Sequence, residues 1–235
     1  MRIAFLNFGF GMAVTKGAWQ MIWYPRYRKY PAVISRIAKF IQEERIEVIG
    51  LTEVNFPGER DALRTATGMN IAGDIVYRNR LVPFMRQGNV LLTRYPIRSS
   101  ATFPLPGEGQ PRAVVTADVE TPSGIITFLV THLGLGERSR RLQIAALADI
   151  CRNLPNPFIL MGDLNVMNTE ELAPLAASRL MRHLESGPTY PSWKPKREFD
   201  HILISPNIES GNVFVYNKER FSDHLALVVD LVPNS

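Results

Sequence analysis

The sequence predicts an α/β (α+β) fold: a four-layered sandwich in which two mixed or antiparallel β-sheets pack face to face and helices cover the outside. Most of the short apolar runs follow one another without a helix between them, which favours such sheets over a doubly wound parallel one. The 235 residues, 46% of them hydrophobic, suffice for one substantial core. Because no composition break or Gly/Ser linker appears, we expect positions 1–235 to form a single domain.

The first half of the chain contains most of the predicted elements. Short apolar runs bounded by turn residues predict strands, and apolar residues at helical spacing, such as Val33, Ile37 and Phe40, predict helices. The predicted strands are 3–6, 47–51, 89–93, 113–119 and 125–131, with 89–93 and 113–119 as neighbours. The predicted helices are 32–44, 61–67, which Gly68 closes, and 139–151, with one face formed by Leu142, Ala146, Leu147 and Ile150.

The second half repeats this arrangement. It predicts a helix around 169–180 and strands at 158–161, 200–204, 213–216 and 225–231.

Composition and charge limit the partners and the compartment. A formal charge of +5 favours an anionic partner, which could be nucleic acid, a phosphoinositide-like head group or an acidic membrane surface. The single cysteine, Cys151, excludes an internal disulfide and argues against a Cys-rich zinc site. The first residues do not follow the pattern of a secretory leader, and no apolar run is long enough to cross a bilayer. We expect a cytoplasmic monomer.

Polar side chains are concentrated where apolar runs end. Gly162-Asp163-Leu164-Asn165 follows one such run, and Ser222-Asp223-His224 lies between two others. Three of the four histidines, His132, His201 and His224, also lie beside predicted strand ends. This concentration of acids, amides and imidazoles indicates a site that hydrolyses a phosphate ester with a divalent metal ion.

The joint order of these motifs resembles the endonuclease/exonuclease/phosphatase superfamily. That family has a DNase I-like sandwich fold and includes deoxyribonucleases, apurinic endonucleases, inositol-phosphate phosphatases and neutral sphingomyelinases. The resemblance covers almost the whole chain. The motifs are, in order, Asn7, Glu53, Gly88-Asn89-x-Leu91-Leu92-x-Arg94, Arg112, Thr131-His132-Leu133, Gly162-Asp163-Leu164-Asn165, Phe199-Asp200-His201-Ile202-Leu203 and Ser222-Asp223-His224.

The resemblance implies a metal site centred on Glu53, supported by Asn7 and Asp223. The residue types agree with this, because a carboxylate at the end of an apolar run is costly to place unless a cation meets it. Oxygen ligands suit Mg²⁺, and Mn²⁺ or Ca²⁺ are also compatible. Gly9 stands where many nucleases of the family have an acidic or amide residue, and no tyrosine matches the active-site tyrosine of the apurinic endonucleases. These two departures argue against assignment to the apurinic endonuclease branch of the family.

The resemblance also implies roles for the remaining polar residues. Asp163 aligns or deprotonates the attacking water, and Asn165 donates to the phosphate. His224, as an imidazolium oriented by Asp200, bonds a nonbridging oxygen. His132 is either an acid near the leaving oxygen or a donor that stabilises the pentacovalent phosphorus. The expected substrate-binding residues are Asn89, Arg112 and Trp193, whereas His183, on the predicted helix, and His201 are expected to be structural.

These expectations converge on a Mg²⁺-dependent phosphodiesterase that acts on nucleic acid by in-line attack of water. Two alternatives remain open: a phosphodiesterase or phosphatase acting on phospholipid or inositol phosphate, and a catalytically inactive domain that binds anions. The segment 19–30 combines aromatic and basic residues. Such a segment could bind a nucleic-acid strand, rest in a membrane interface, or pack on the sandwich through its tryptophans.

Overall fold

The computed structural model describes residues 1–9, 30–78, 86–176 and 180–232. The aromatic and basic segment therefore lies outside the described residues, apart from the backbone of Tyr30. Within the described ranges the strands are β1 (Arg2–Asn7), β2 (Val48–Asn55), β3 (Asn70–Arg78), β4 (Arg86–Thr93), β5 (Ile97–Leu105), β6 (Arg112–Thr121), β7 (Gly124–His132), β8 (Phe158–Asp163), β9 (Arg182–His183), β10 (Asp200–Ile204), β11 (Glu209–Tyr216) and β12 (Ala226–Val232). The helices there are α1 (Tyr30–Glu43), α2 (Gly58–Thr67), α3 (Glu137–Arg152) and the one-turn α4 (Ala173–Ala176).

The strands form two mixed six-stranded sheets. Sheet A has the order β11-β12-β1-β2-β4-β3, and sheet B has the order β5-β6-β7-β8-β10-β9. One parallel pair occurs in each sheet, β1 with β2 and β7 with β8, and the other paired strands are antiparallel. The predicted pair of mixed sheets is therefore confirmed.

Three apolar clusters separate the layers of the sandwich. The central cluster lies between the sheets and includes Phe5, Leu91, Phe128, Met161 and Ile202. A second cluster joins sheet A to α1, where Val33, Ile37 and Phe40 recur at helical spacing. A third joins sheet B to α3. Helix, sheet, sheet and helix thus follow one another, as the strand pattern predicts.

The two sheets interlock at Gly50 of β2. A Cβ atom at this position would lie well inside van der Waals contact with the side chain of Met161, which fills the space from sheet B. Met161 is fully buried. The contact lies three residues before Glu53 and two residues before Asp163, so it fixes how sheet A sits on sheet B directly below those carboxylates.

One predicted strand pairing is wrong. The strands at 89–93 and 113–119 are not neighbours, because β4 lies in sheet A and β6 in sheet B. Two strands without a predicted counterpart account for the difference: β3 pairs with β4, and β5 pairs with β6. Most of β5 is exposed and includes Ser99 and Ser100, so it lacks the apolar signal from which a strand is predicted.

The predicted face of the third helix is also partly wrong. Leu147 is buried, but Leu142 is 49% exposed. The buried face of α3 instead contains Arg140, whose guanidinium lies 2.9 Å from the carboxylate of Glu171, and Gln143, whose amide oxygen accepts from the Gly134 N–H. These partners compensate for the burial of polar groups, which hydrophobic periodicity cannot anticipate.

The helix predicted around 169–180 is replaced by shorter elements. A 3₁₀ turn covers Thr169–Leu172 and is followed by α4, and residues 177–179 are outside the described ranges. His183 consequently lies on β9, an edge strand, and not on a helix. Among the described residues, no helix is both long and apolar enough to cross a membrane.

Gly162→Ala is expected to destabilise the protein by about 1–3 kcal/mol, the usual range for overpacking a core. An added Cβ would press into the backbone carbonyl of Thr131 on β7, and a backbone atom cannot rotate away. Urea unfolding followed by circular dichroism measures the change. Gly58→Ala is the matched control, since its Cβ would meet no atom within 4 Å at the start of α2. Equal stability of the two variants would contradict this explanation.

Candidate active site

Both parallel strand pairs end at the same region of the sandwich. Asn7 ends β1, His132 ends β7 and Asp163 ends β8. His132 is opposite Asp163 across the parallel pair, and Asp200, the first residue of β10, is opposite Asp163 on the other side. Side chains from distant parts of the chain therefore meet at this edge, as their positions at strand ends predict.

The Oδ2 atom of Asp163 is the centre of the cluster. It accepts a hydrogen bond of 2.9 Å from Nδ2 of Asn7. It lies 3.5 Å from Nε2 of His132 and 3.8 Å from Nε2 of His224. The other ring nitrogen of His132, Nδ1, lies 3.7 Å from Oε1 of Glu53. His132 therefore lies between the two carboxylates, and one compact group joins sheets A and B.

Asp200 holds the ring of His224 from the side away from Asp163. Nδ1 of His224 lies 2.8 Å from Oδ2 of Asp200, which also accepts the hydroxyl hydrogen bond of Thr189. Burial opposes the charged ring, but the charge and hydrogen bond of Asp200, together with the other nearby carboxylates, raise the pKa of His224 to about 10. At neutral pH this ring is an imidazolium whose Nε2 faces Asp163.

The pKa of Asp163 is also raised, but here the main cause is burial. Burial raises the pKa of its carboxyl to about 7, although the positive charge of His224 and the hydrogen bond from Asn7 oppose the shift. A carboxyl that titrates near neutrality is suited to accept a proton during a reaction at physiological pH.

His132 is neutral in this environment. Burial, followed by the positive charges of Arg112 and His224, lowers the pKa of His132 well below its usual value. A neutral imidazole can donate one N–H to an oxygen but lacks the second proton needed for acid catalysis. Of the two roles expected for His132, a lowered pKa is more compatible with the donor, and both roles stay predictions.

Glu53 has the chemistry of a cation ligand. Burial and then the charge of Asp223 raise the pKa of its carboxyl, and its backbone adopts a left-handed conformation with φ of 57°. Both features are costly for glutamate and are compensated if a cation binds the carboxylate. Glu53 and Asp223 offer hard carboxylate oxygens, so these residues fit a divalent ion of the Mg²⁺ type. The amide of Asn7 is engaged on both sides, because its Oδ1 accepts the Gly9 N–H and its Nδ2 donates to Asp163, so it would ligate only through the second lone pair of Oδ1 or after turning.

Gly9 explains one departure from the family pattern. Its φ is 55°, and a Cβ there would lie 3.1 Å from Oδ1 of Asp223 and 3.2 Å from Cβ of Ser222. Its N–H donates to the amide oxygen of Asn7. A side chain at this position would crowd Asp223, so glycine leaves space for the Asp223 carboxylate.

Asn165 lies beyond the end of β8, in the turn that follows Asp163. The strand ends at Asp163, and Asn165 has a left-handed backbone with φ of 51°. Its N–H donates to Oδ1 of Asp163, and its amide Nδ2 donates to the carbonyl of Leu133. One amide hydrogen is thus used to hold the loop after β7, and the second is available for a substrate oxygen.

The three expected substrate-binding residues lie in different settings. Arg112 is half-buried, and the charges of Glu53 and Asp163 oppose the lowering of its pKa by burial. Nδ2 of Asn89 donates to the carbonyls of Ala113 and Val130, which favours a role in joining the sheets. Trp193 is half-buried, in a turn next to Ser192, whose N–H donates to the carbonyl of Asp223.

Two side chains of this site have no role in the sequence-based prediction. Thr189 donates to Asp200, and the ring of Tyr190 lies 4.9 Å from the ring of His224. Burial and then the charges of Asp223 and Asp163 raise the pKa of Tyr190. Both residues come from the loop before β10. Their proximity in sequence to Asp200 is a weak signal, and only the path of the loop places them on the Asp200 and His224 pair.

Comparison with known proteins identifies the family. The model of the Endonuclease/Exonuclease/phosphatase family matches residues 7–224, the span from the first to the last residue of the site. The chain belongs to this family. Its members are phosphoester hydrolases, and the resemblance predicted from the motifs is confirmed.

Individual relatives are more distant. The chain is 29% identical over 143 residues to the uncharacterized protein YbhP of Escherichia coli K12, a match that covers 56% of this chain and 56% of YbhP. An endonuclease/exonuclease/phosphatase family protein from Bacteroides thetaiotaomicron superimposes with a TM-score of 0.78 at 17% identity, over 100% of this chain and 98% of that one. A mannosyl-6-phosphatase from the same species gives a TM-score of 0.73 at 17% identity, over 99% of both chains. These structures share the fold.

Proposed function

We propose that this family member is a Mg²⁺-dependent phosphodiesterase that cleaves its substrate by in-line attack of water, without a covalent intermediate. The observation that carries this proposal is the pair Asp163 and His224. A carboxyl with a pKa of about 7 faces an imidazolium with a pKa of about 10. The two groups therefore hold the protonation states of a base and a cationic donor together near neutral pH.

Glu53, Asp223 and Asn7 are the proposed ligands of the metal ion. When bound, Mg²⁺ supplies charge stabilisation at a phosphoryl oxygen, an effect of several kcal/mol in such sites. In this proposal Glu53 and Asp223 would hold the ion and Asp163 would accept the proton, so the two tasks would fall to different residues.

The other groups act on the substrate directly. Asp163 accepts a proton from the attacking water. Asn165, neutral His132 and protonated His224 donate to phosphoryl oxygens, where negative charge increases as the bond to water forms. Asp200 keeps His224 charged and correctly oriented. These donors are fixed by bonds to the protein before a substrate arrives, which lowers the cost of reorganising them.

Nucleic acid is the proposed substrate because an opening beside the site carries more positive than negative side chains. A cavity of about 700 Å³ lies between the loop after Asn165 and the loop before Asp200, and its charged lining consists of Lys196, Arg197 and the single carboxylate of Glu198. Together with the charge of +5, this opening suits a polyanion that extends beyond the scissile phosphate.

A phospholipid substrate has one specific observation in its favour. Leu135 follows β7 with 78% of its surface exposed, and Met167, two residues after Asn165, is 62% exposed. Large apolar side chains at this exposure beside a polar site are compatible with contact to acyl chains. The second candidate is therefore a phosphodiesterase that acts on lipid.

A substrate panel separates the two candidates. Plasmid DNA, single-stranded DNA and RNA, a chromogenic phosphodiester and sphingomyelin vesicles are each incubated with Mg²⁺ or with chelator, using the wild type and Asp163→Ala. We expect cleavage of nucleic acid that both chelator and the substitution abolish. Cleavage of sphingomyelin alone would favour the lipid candidate, and activity unaffected by both treatments would refute the proposed mechanism.

Binding of DNA to the Asp163→Ala variant is expected to weaken steeply with added salt. Each phosphate that a lysine or arginine neutralises releases condensed counterions, which gives a log–log slope of about −0.9 per contact for duplex DNA. Fluorescence anisotropy from 50 to 200 mM salt, roughly the range over which such losses are seen, measures the slope. Lys196→Gln should reduce its magnitude by about 1, whereas Lys39→Gln, an exposed lysine on α1, should not. A flat salt dependence would exclude nucleic acid as the partner.

The rate of hydrolysis should depend on pH through the ionisation of Asp163 and of His224. Activity is lost as pH falls through the pKa of Asp163, about 7 without a metal ion and lower with one, because the protonated carboxyl cannot accept a proton. Activity is lost again as pH rises through the pKa of His224, about 10. Asp200→Asn should move the alkaline limb to lower pH, since the charge that raises the pKa of His224 is removed. An unmoved alkaline limb would assign it to another group.

A further inference from the structure

A second group of metal-ligating side chains lies on the other face of sheet B. His183 is on the edge strand β9, His201 is on β10, and Glu198 comes two residues before β10. Side chains of successive strand residues point to opposite faces, so His201 points away from the face on which Asp200 holds His224. The two imidazoles are therefore separate from the proposed active site, and Glu198, which also lines the opening beside that site, lies at the boundary.

The ligand atoms of the cluster converge on one point. Nε2 of His183 lies 2.9 Å from Nδ1 of His201 and 4.0 Å from Oε1 of Glu198. One ligand atom from each residue lies within 4.8 Å of the others. Bond lengths of about 2.0–2.2 Å at a tetrahedral zinc ion place neighbouring ligands about 3.3 Å apart. Side-chain movements of at most about 1.5 Å reach that arrangement, since no two of the ligand atoms lie more than 4.8 Å apart.

We propose that His183 Nε2, His201 Nδ1 and the Glu198 carboxylate bind one transition-metal ion, with Zn²⁺ as the best-suited ion. Two imidazoles and one carboxylate are a ligand set for zinc, copper, nickel or iron, whereas Mg²⁺ prefers oxygen ligands alone. In the ion-free protein the two ring nitrogens share a proton as a hydrogen bond, and the ion takes the place of that proton.

The residues around the three proposed ligands determine the zinc affinity that we expect. The hydroxyl of Ser186 lies 3.2 Å from Oε1 of Glu198 and holds the carboxylate in place. His183 and Glu198 are 16% and 26% exposed, which leaves a path for the ion and a position for a water ligand. Nε2 of His201 is buried and has no partner among the described residues. Because such a supporting hydrogen bond contributes about 10–100-fold in affinity, we expect micromolar rather than nanomolar binding.

The position of the cluster gives the ion a structural role. His183 and Glu198 lie at the two ends of the segment 184–197, and the ion would tie both ends to β10. That segment carries Thr189, which donates to Asp200, and Tyr190, which packs on His224. Bound zinc should therefore stabilise the loop that orients the Asp200 and His224 pair. This inference does not depend on the proposed substrate or reaction.

The test uses the full chain after removal of metal ions by chelation. Because Zn²⁺ can also bind the carboxylates of the active site, including the group formed by Asp163, Asp200 and His224, all variants carry Asp163→Asn in addition to Glu53→Gln, and this background is called the Glu53→Gln protein below. Calorimetric titration with ZnCl₂ and the visible absorption of bound Co²⁺ report binding without any activity assay. We expect one zinc site in the Glu53→Gln protein. Adding His183→Gln should weaken it by more than about 10–100-fold, the loss seen when only a supporting group is removed.

A matched substitution and a fold measurement complete the experiment. Arg182→Gln changes the other residue of β9, which is exposed and lies beside Ser210, and should leave zinc affinity unchanged. Thermal unfolding without zinc shows whether each variant is folded, and added zinc should raise Tm only where His183 is present. Absence of zinc binding in the Glu53→Gln protein, or binding of equal affinity after His183→Gln, would overturn the proposal.

Discussion

Replacing Asp163 with asparagine should lower the rate of phosphoester hydrolysis by about 10²–10⁴-fold, the range associated with loss of a positioned general base. The amide retains the size of the carboxyl but cannot accept a proton from water, and its single oxygen can accept from Asn7 or from the Asn165 N–H, not from both. Because burial already makes ionisation of Asp163 costly, with a pKa raised to about 7, the expected loss of stability is limited to this one hydrogen bond, about 1–3 kcal/mol. Steady-state kinetics and thermal unfolding measure the two effects.

The controls for Asp163→Asn separate chemistry from folding. Asp61→Asn makes the same chemical change at an exposed position of α2 and should leave kcat and Tm nearly unchanged. The rate of Asp163→Asn should also lose its dependence on pH near the acid limb, because the titrating group is gone. If kcat falls less than tenfold, or if the acid limb persists unchanged, another group is the base.

Glu53→Gln should abolish the dependence of the hydrolysis rate on Mg²⁺. It should also reduce that rate by at least about 10²–10³-fold, the loss observed when one group that stabilises the transition state electrostatically is removed. Glutamine has nearly the same shape as glutamate and tolerates the same left-handed backbone equally poorly, so only the charge differs. Without its charge the site retains only Asp223 and the amide of Asn7 as ligands. Calorimetry with Mg²⁺ and kinetics over a range of Mg²⁺ concentrations measure both losses.

Stability supplies an independent measure of the metal site. An ion that binds only the folded state raises Tm in proportion to the logarithm of its concentration. We expect Mg²⁺ to raise the Tm of the wild type and of Glu43→Gln, a substitution on the exposed side of α1, but not that of Glu53→Gln. In chelator, Glu53→Gln should be at least as stable as the wild type, since a buried carboxyl with a raised pKa has been replaced by an amide. A Tm of Glu53→Gln that still rises with Mg²⁺ would place the ion elsewhere.

The strands of the two sheets were predictable where burial is complete. Strands such as β8, every residue of which is buried, have continuous apolar sequences. The strand β5 is exposed along most of its length, so its sequence carries no such pattern, and without it the strands at 89–93 and 113–119 are mistaken for neighbours. The face of α3 was mispredicted because Arg140 is buried on its ion pair with Glu171. A tertiary partner of this kind is invisible to periodicity.

The site was predictable because its residues end strands. Asn7, His132 and Asp163 are brought together by β-sheet geometry, whereas the roles that the motifs imply for them stay predictions. Thr189 and Tyr190 were not predictable, because their positions depend on the path of the loop before β10. The group formed by His183, Glu198 and His201 was missed for a similar reason. Its members meet only because β9 pairs with β10, and a two-residue strand leaves almost no signal in sequence.

The packing of Met161 into the space beside Gly50 has a consequence for inactivation. Glu53 lies on sheet A and Asp163 on sheet B. A lateral displacement of one sheet relative to the other would therefore increase the distance between the two carboxylates without breaking any strand pairing. Moderate heating, or a larger residue at position 50, should therefore abolish phosphoesterase activity while the far-ultraviolet circular dichroism spectrum still shows intact β-structure.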